Sequence, residues 1–352
     1  MPDHPTRPDI RLLDGEFYGD DPVEAYEWMR ANAPVYYDEE AGIWGVTLHE
    51  HIIEVSKNSE VYCSGEGSRP EPGTWNPSMI NMDDPDHRRR RTLVNRGFSP
   101  RRVADHEPKI RQICNDLVDK IASQGHCDFV RDIAAPLPMI VIGDMLGVHP
   151  DDRDRLLRWS EEMLGATSAT ADAETLKRAV MAGADYSTYA LDVIAKRRED
   201  PTLDDLIGIL VNSKIDGQAL DEEALIHESL LILVGGDETT RHVMTGGMLA
   251  LIQNPEQRQM LLDDPSKITR AVEEMLRWVS PIKNMNRTAT RDVELGGQQI
   301  RKGDKLLLLY HSANRDERMF ENPNRFDIER EPNEHVAFGG YGRHFCLSLI
   351  HI

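Results

Sequence analysis

Near the end of this 352-residue sequence, Phe338-Gly339-Gly340-Tyr341-Gly342-Arg343-His344-Phe345-Cys346 sets glycines six and four residues before a cysteine and a histidine two before it. Glycines permit positive φ and close approach to a flat ligand, and they let backbone N–H groups point at the sulfur and favour its thiolate. A buried cysteine is ordinarily a small hydrophobe, which is the reading kept for Cys63, Cys114 and Cys127; the loop moves Cys346 towards metal ligation. A second segment, Gly235-Gly236-Asp237-Glu238-Thr239-Thr240, follows the apolar run at residues 230–234 in the middle of a long helical pattern. Glycine and carboxylates are poor choices inside a buried helix, and rules broken in a core point to a functional site. The glycines leave room for something flat, and an acid beside a hydroxyl can open the helical ladder and relay protons; a polar kink is the plainer alternative.

Two weaker signals accompany these. Glu274 and Arg277 form an i,i+3 acid–base pair on a predicted helix, a type that is usually a solvated surface contact. In Asp84-Pro85-Asp86-His87-Arg88-Arg89-Arg90-Arg91, Asp84 can cap a helix with Pro85 in its first position. His87 and Arg91 then lie one turn apart on one face, able to hold two carboxylates, while part of Arg88, Arg89 and Arg90 reads as a solvated basic run.

The elements that position these residues are mostly helical. Apolar spacing predicts helices over residues 108–122, 151–164, 175–198, 221–253, 255–262 and 267–278, the fourth about 50 Å long if unbroken. Short strands are expected over 43–47, 293–295 before the Gly296-Gly297 turn, and 305–310, so the class is mainly α with small β elements. With 29% charged and 6% aromatic residues the chain falls outside the fibrous, collagen-like and disordered classes. A net charge of −20, from 41 Lys+Arg against 61 Asp+Glu, argues against nucleic acid and anionic membranes as partners. Four scattered cysteines, no apolar run long enough to span a bilayer and no signal-peptide pattern predict a cytoplasmic protein without disulfides or a membrane span.

These four segments, in this order and at these separations, resemble the cytochrome P-450 superfamily of haem-thiolate monooxygenases, from about Gly15 to Cys346. The resemblance implies the multi-helical P-450 fold, haem b with its iron held by Cys346, and O2 as co-substrate. It implies haem contacts from Gly235, Gly236, Phe338, Gly340 and Gly342, and from His87, Arg91, Arg287 and His344 at the propionates. It further implies a buried structural ion pair of Glu274 and Arg277 with Arg330 as third member, and Glu238 and Thr239 as a distal acid–alcohol pair handling protons. With no flavin or iron–sulfur motif in the chain, electrons are expected from a ferredoxin and its ferredoxin reductase. Arg88, Arg89, Arg90, Arg91, Arg96, Arg101 and Arg102 would offer that acidic partner a basic face.

Residues 129–138, 142–147 and 235–242 and Lys283-Asn284-Met285 look like the actinobacterial sterol side-chain hydroxylases acting on cholesterol and cholest-4-en-3-one at C26 or C27. Met79, Ile80, Val234, Ile282 and Met285 are the implied substrate-pocket residues, with ordinary core packing as their alternative. An extra residue in Phe338-Gly339-Gly340, shared with branched-lipid hydroxylases, keeps methyl-branched fatty acids and terpenoids open as substrates. Residues 1–347 are read as one haem-thiolate domain, incomplete because the family expects a helix and a β region after the cysteine. Residues 348–352 resemble a translated sequencing adapter and are expected to be a non-native tail. The competing readings are an inactive truncated fragment, or a haem sensor or carrier.

Overall fold

Four consecutive leucines, Leu306 to Leu309, are each fully buried and form the spine of a five-stranded sheet. Burying each contributes about 1.5–3 kcal/mol relative to exposure. The computed structural model describes residues 4–19, 22–71, 76–166 and 171–347, so the expected tail at 348–352 lies outside the described residues. The described chain is mainly helical with small sheets, as the spacing predicts. Among the described residues no helix is long and apolar enough to cross a membrane. The chain divides into two compact units, Met1–Trp75 with His242–Cys346, and Asn76–Arg241 with Leu347–Ile352.

In the first unit the sheet order is Val35–Asp38, Ile43–Val46, Lys305–Leu309, Asn284–Ala289, Tyr62–Cys63. Ile43–Val46 runs parallel to Lys305–Leu309, whose other edge pairs antiparallel with Asn284–Ala289 from Asn284↔Leu309 to Thr288↔Lys305. The strand Asn284–Ala289 is not anticipated, because Asn-Met-Asn-Arg-Thr-Ala has little β preference. Pairing on both edges makes it a strand, and Asn286 anchors it, its backbone N–H donating to Ser68 O and its Nδ2 to Gly67 O, both at 2.9 Å. The predicted hairpin is Val293–Leu295 with Gln298–Ile300, turning on Gly296 and Gly297 at φ 55° and 79°, the left-handed pair a tight two-residue hairpin requires.

In the second unit, helices pack around Leu93, Trp159, Tyr186, Ile194, Leu206 and Leu233. The helix expected over 108–122 is longer, Pro100–Ala122, with Pro108 inside it. Its true start is Ser99-Pro100: the Ser99 side chain accepts from the Arg102 N–H, and the first turns hold too few apolar residues to register as periodic. The helix Glu222–Gln253 is unbroken over 32 residues and is capped by Asp221, whose carboxylate accepts from the Ala224 N–H at 2.8 Å. It begins in the second unit and ends in the first.

Candidate active site

The cysteine loop of the first unit is held by its own backbone. Gly339 N–H donates to Val336 O at 3.0 Å, Cys346 N–H to Phe338 O at 2.9 Å and Phe345 N–H to Gly342 O at 3.1 Å. Gly339 has φ +99°, which favours glycine. A Cβ at Gly342 would stand 1.8 Å from Ser56 O, and one at Gly340 would stand 2.8 Å from Ile52 O and 2.3 Å from Ser56 Oγ. These two glycines therefore seat the loop against the helix His49–Lys57. Cys346 is half-buried, as are Cys63 and Cys114, so burial does not single it out; the loop does. His344 and Phe338 are half-buried in the same loop.

Glu274 and Arg277, a weak signal as a spacing, are fully buried. Arg277 donates from Nε and Nη2 to the two Glu274 oxygens at 2.7 and 2.8 Å, and its remaining N–H groups reach Asn314 O, Pro323 O and Arg325 O. Arg330 Nε joins at 3.1 Å from Glu274 Oε2, with Asp327 N–H at 2.9 Å and Asn333 Nδ2 at 3.3 Å completing the ring. The network reaches the base of the cysteine loop, because Asn314 Oδ1 accepts from the Val336 N–H at 2.7 Å. Arg287, on the strand Asn284–Ala289, is buried with Nη1 donating to Asn286 O.

In the second unit, His87 and Arg91 lie one turn apart on the helix Asp86–Asn95, His87 buried and Arg91 half-buried. Asp84 does not cap this helix: it has no capping side chain, and Asp84 Oδ1 lies 3.5 Å from His87 Nδ1 instead. Burial and then Arg91 push the His87 pKa down, against Asp84. Arg90 turns inward, donating at 3.1 Å to the fully buried Glu228, which also accepts from the Met79 N–H at 2.7 Å. Burial pushes Glu228 up to about 7 although Arg90 pulls it down. Glu228 is not anticipated from the sequence, where it stands between His227 and Ser229; a buried acid demands a cation, and Arg90 is brought to it from another helix. Met79, Ile80, Val234, Ile282 and Met285 are each half-buried, Met79 packing on the core of the second unit and Ile282 and Met285 on the sheet core of the first.

The glycine segment of the long helix does not interrupt it: the Thr239 hydroxyl donates to Gly235 O at 2.8 Å inside a continuous helix. A Cβ at Gly235 would meet nothing within 4 Å, whereas one at Gly236 would stand 2.8 Å from Ile142 Cγ1. Glu238 is ion-paired with Arg241, which also donates to Glu161 at 2.7 Å. Asp237 is fully buried beside Ser160, and burial followed by Glu238 raises its pKa from 3.8 to about 7. Each unit by itself carries groups that suit a haem: in the first, a thiol at the end of a loop held by its own backbone, and Arg287; in the second, an open helix face carrying Gly235 and Thr239 one turn apart, with His87 and Arg91 suited to carboxylates.

The raised acid has a stability consequence. Folded Asp237 keeps its proton to about 7 while the unfolded chain releases it near 3.8, so its contribution is full in acid and is lost as pH rises across that window. His87, His227 and His311, all lowered by burial, act in the opposite sense, so the test is differential. The stability of the parent minus that of Asp237→Asn should fall from about pH 4 to about 7 and then level; a flat difference in urea titrations would refute it.

A family model described as Cytochrome P450 matches residues 40–267 and 267–347. A steroid C26-monooxygenase of Mycolicibacterium smegmatis is 48% identical over 345 residues, covering 97% of this chain and 85% of the relative. A methyl-branched lipid omega-hydroxylase of Mycobacterium tuberculosis is 35% identical over 361 residues, covering 97% of this chain and 84% of the relative. A Mycobacterium marinum cytochrome P450 solved in complex with pseudoionone superposes with a TM-score of 0.89 at 33% identity, covering 98% of this chain and 89% of that one.

Proposed function

Because the chain belongs to the cytochrome P450 family of haem-dependent monooxygenases, we propose that it hydroxylates a terminal methyl carbon of a sterol side chain, C26 or C27 of cholesterol or cholest-4-en-3-one. The observation that carries this is the likeness, along nearly its whole length, to a steroid C26-monooxygenase. The family match spans both units, which supports reading residues 1–347 as one catalytic domain. Haem b, when bound, supplies the activation of O2 with two electrons.

Cys346 would hold the haem iron through its thiolate, whose electron donation would support O2 activation. His87, Arg91, Arg287 and His344 would hold the propionates. Glu238 would pass protons inward beside Arg241, which stays charged and also holds Glu161, a side chain half in solvent, and Thr239 would offer its hydroxyl to the same proton traffic. A terminal C–H bond is stronger than the internal ones beside it, so the position attacked must come from how the chain end is presented. The test is a substrate-induced high-spin shift with cholest-4-en-3-one and none with straight-chain fatty acids, followed by product analysis. The likeness to a methyl-branched lipid omega-hydroxylase supports a second reading, in which branched fatty acids give the shift and the sterol does not.

Electrons come from an acidic ferredoxin served by its reductase. The basic face is narrower than the run of arginines suggests: Arg88, Arg96 and Arg101 are exposed, whereas Arg89 is paired with Asp86 and Asp216, Arg90 with Glu228 and Arg102 with Asp204. Arg88→Glu with Arg101→Glu should slow ferredoxin-dependent reduction at low salt by about tenfold or more and leave the sterol shift unchanged. Equal reduction rates would remove this face from the docking surface.

A further inference from the structure

Asp237 is the buried acid that the reaction scheme above leaves without a task. On its own helix it faces Glu238 and Arg241, and on the helix Arg153–Gly165 it faces Ser160 and Glu161. Its Oδ2 lies 3.4 Å from Ser160 Oγ, and its Oδ1 is buried with no hydrogen-bond partner. Ser160 has one hydroxyl proton and a shorter contact to spend it on, the Leu157 carbonyl at 2.9 Å. The Asp237–Ser160 contact is then satisfied by a proton on Asp237, donated to Ser160 Oγ. An ionised Asp237 would leave one buried oxygen bare of any hydrogen bond, which is far costlier than a neutral carboxyl.

Arg241 spends Nη1 on Glu161 and Nη2 on Glu238. Arg241 follows Glu238 by three residues and Asp237 by four, the two spacings at which helical side chains meet. One guanidinium can therefore neutralise either acid.

We propose that Asp237 stores the proton that Glu238 passes on, with Arg241 pairing with whichever of the two acids is ionised. At rest the proton is on Asp237 and the Glu238–Arg241 pair is closed. When Glu238 has given up a proton towards the site, the Asp237 O–H bond breaks and its proton ends on a Glu238 oxygen. Arg241 moves to the Asp237 carboxylate, and solvent returns a proton to Asp237 through the half-exposed Glu161. No electron is transferred in this exchange. The inference rests on the assignment of proton delivery to Glu238.

The primary test is infrared difference spectroscopy of the haem-loaded full chain at neutral pH, reading the carbonyl stretch of a protonated carboxyl and its shift in D2O. The parent-minus-Asp237→Asn difference should contain the band, buried Glu228 contributing equally to both, and Glu238→Gln should weaken it because Arg241 is then left to Asp237; a parent spectrum equal to that of Asp237→Asn overturns the store. If Asp237→Asn does not fold, Ser160→Ala decides, because loss of the acceptor should move the band to higher frequency and an unmoved band overturns the assignment. The second test uses cholest-4-en-3-one and the ferredoxin couple. Asp237→Asn should lose about tenfold or more in product per reductant consumed, with an enlarged solvent isotope effect and an unchanged sterol shift. Coupling equal to the parent overturns the delivery role. A parent chain with no red-shifted ferrous–CO band would count against the monooxygenase assignment while leaving the infrared result to stand.

Discussion

A Cys346→Ser protein is expected to lose both the red-shifted ferrous–CO band and all measurable hydroxylation, while remaining folded. The loop conformation is set by the Gly339, Phe345 and Cys346 backbone hydrogen bonds and by the contact of Gly340 and Gly342 with the helix His49–Lys57. None of those uses the sulfur, so the substitution removes the proposed ligand without removing the loop. An alcohol oxygen is a much weaker electron donor to iron than a thiolate, and the donation is what favours O–O cleavage. The matching changes Cys63→Ser and Cys114→Ser, at equally half-buried thiols outside any such loop, should leave the spectrum intact. A normal ferrous–CO band in Cys346→Ser would transfer the ligand role to another residue.

The second large effect is at the buried ion pair. Glu274→Ala should cost about 3–5 kcal/mol, because it leaves the Arg277 charge buried and uncompensated, and that is a large share of the roughly 5–15 kcal/mol by which domains are stable. All five N–H groups of Arg277 have acceptors, and only two are on Glu274. The rest bind carbonyls of Asn314, Pro323 and Arg325, so the pair staples chain segments some forty residues away. Arg277→Lys keeps the charge but offers three donors on a flexible stem in place of a planar fork, and should be nearly as damaging. Since Asn314 also holds the Val336 N–H, haem retention should fall before global unfolding in both variants. Urea midpoints within about 0.5 kcal/mol of the parent would show the network to be dispensable.

How much of this was legible in the sequence depended on where each constraint is local. Cys346 could be read because the glycines that shape its loop lie within seven residues of it. The long helix could be read because its apolar pattern and the Asp221 cap are contiguous. Glu274–Arg277 could be seen only as a pair, since Asp327, Arg330 and Asn333 are brought to it from 53 to 59 residues away. The strand Asn284–Ala289 has no signal of its own, being defined by neighbours on both edges. Asp237 lay inside a segment already singled out, yet its position against Ser160 is set by a different helix. Arg90 differs from Arg88 and Arg89 by helical phase, three residues after buried His87 and thus on its face, a distinction a run of four arginines conceals.

The obstacle a side chain would meet at Gly342 is main chain, namely the Ser56 carbonyl and the Lys57 nitrogen. Every residue type carries those atoms, so no substitution at position 56 or 57 can clear space for a larger residue at 342. A genetic screen for second-site suppressors of Gly342→Ala should recover reversion to glycine, or changes that shift the whole helix His49–Lys57, but no single side-chain swap at its end. At Gly340 part of the obstruction is the Ser56 side chain itself, so Ser56→Gly can relieve some of what Gly340→Ala imposes. The two glycines of one loop would thus follow different rules of inheritance, one fixed and one conditionally exchangeable.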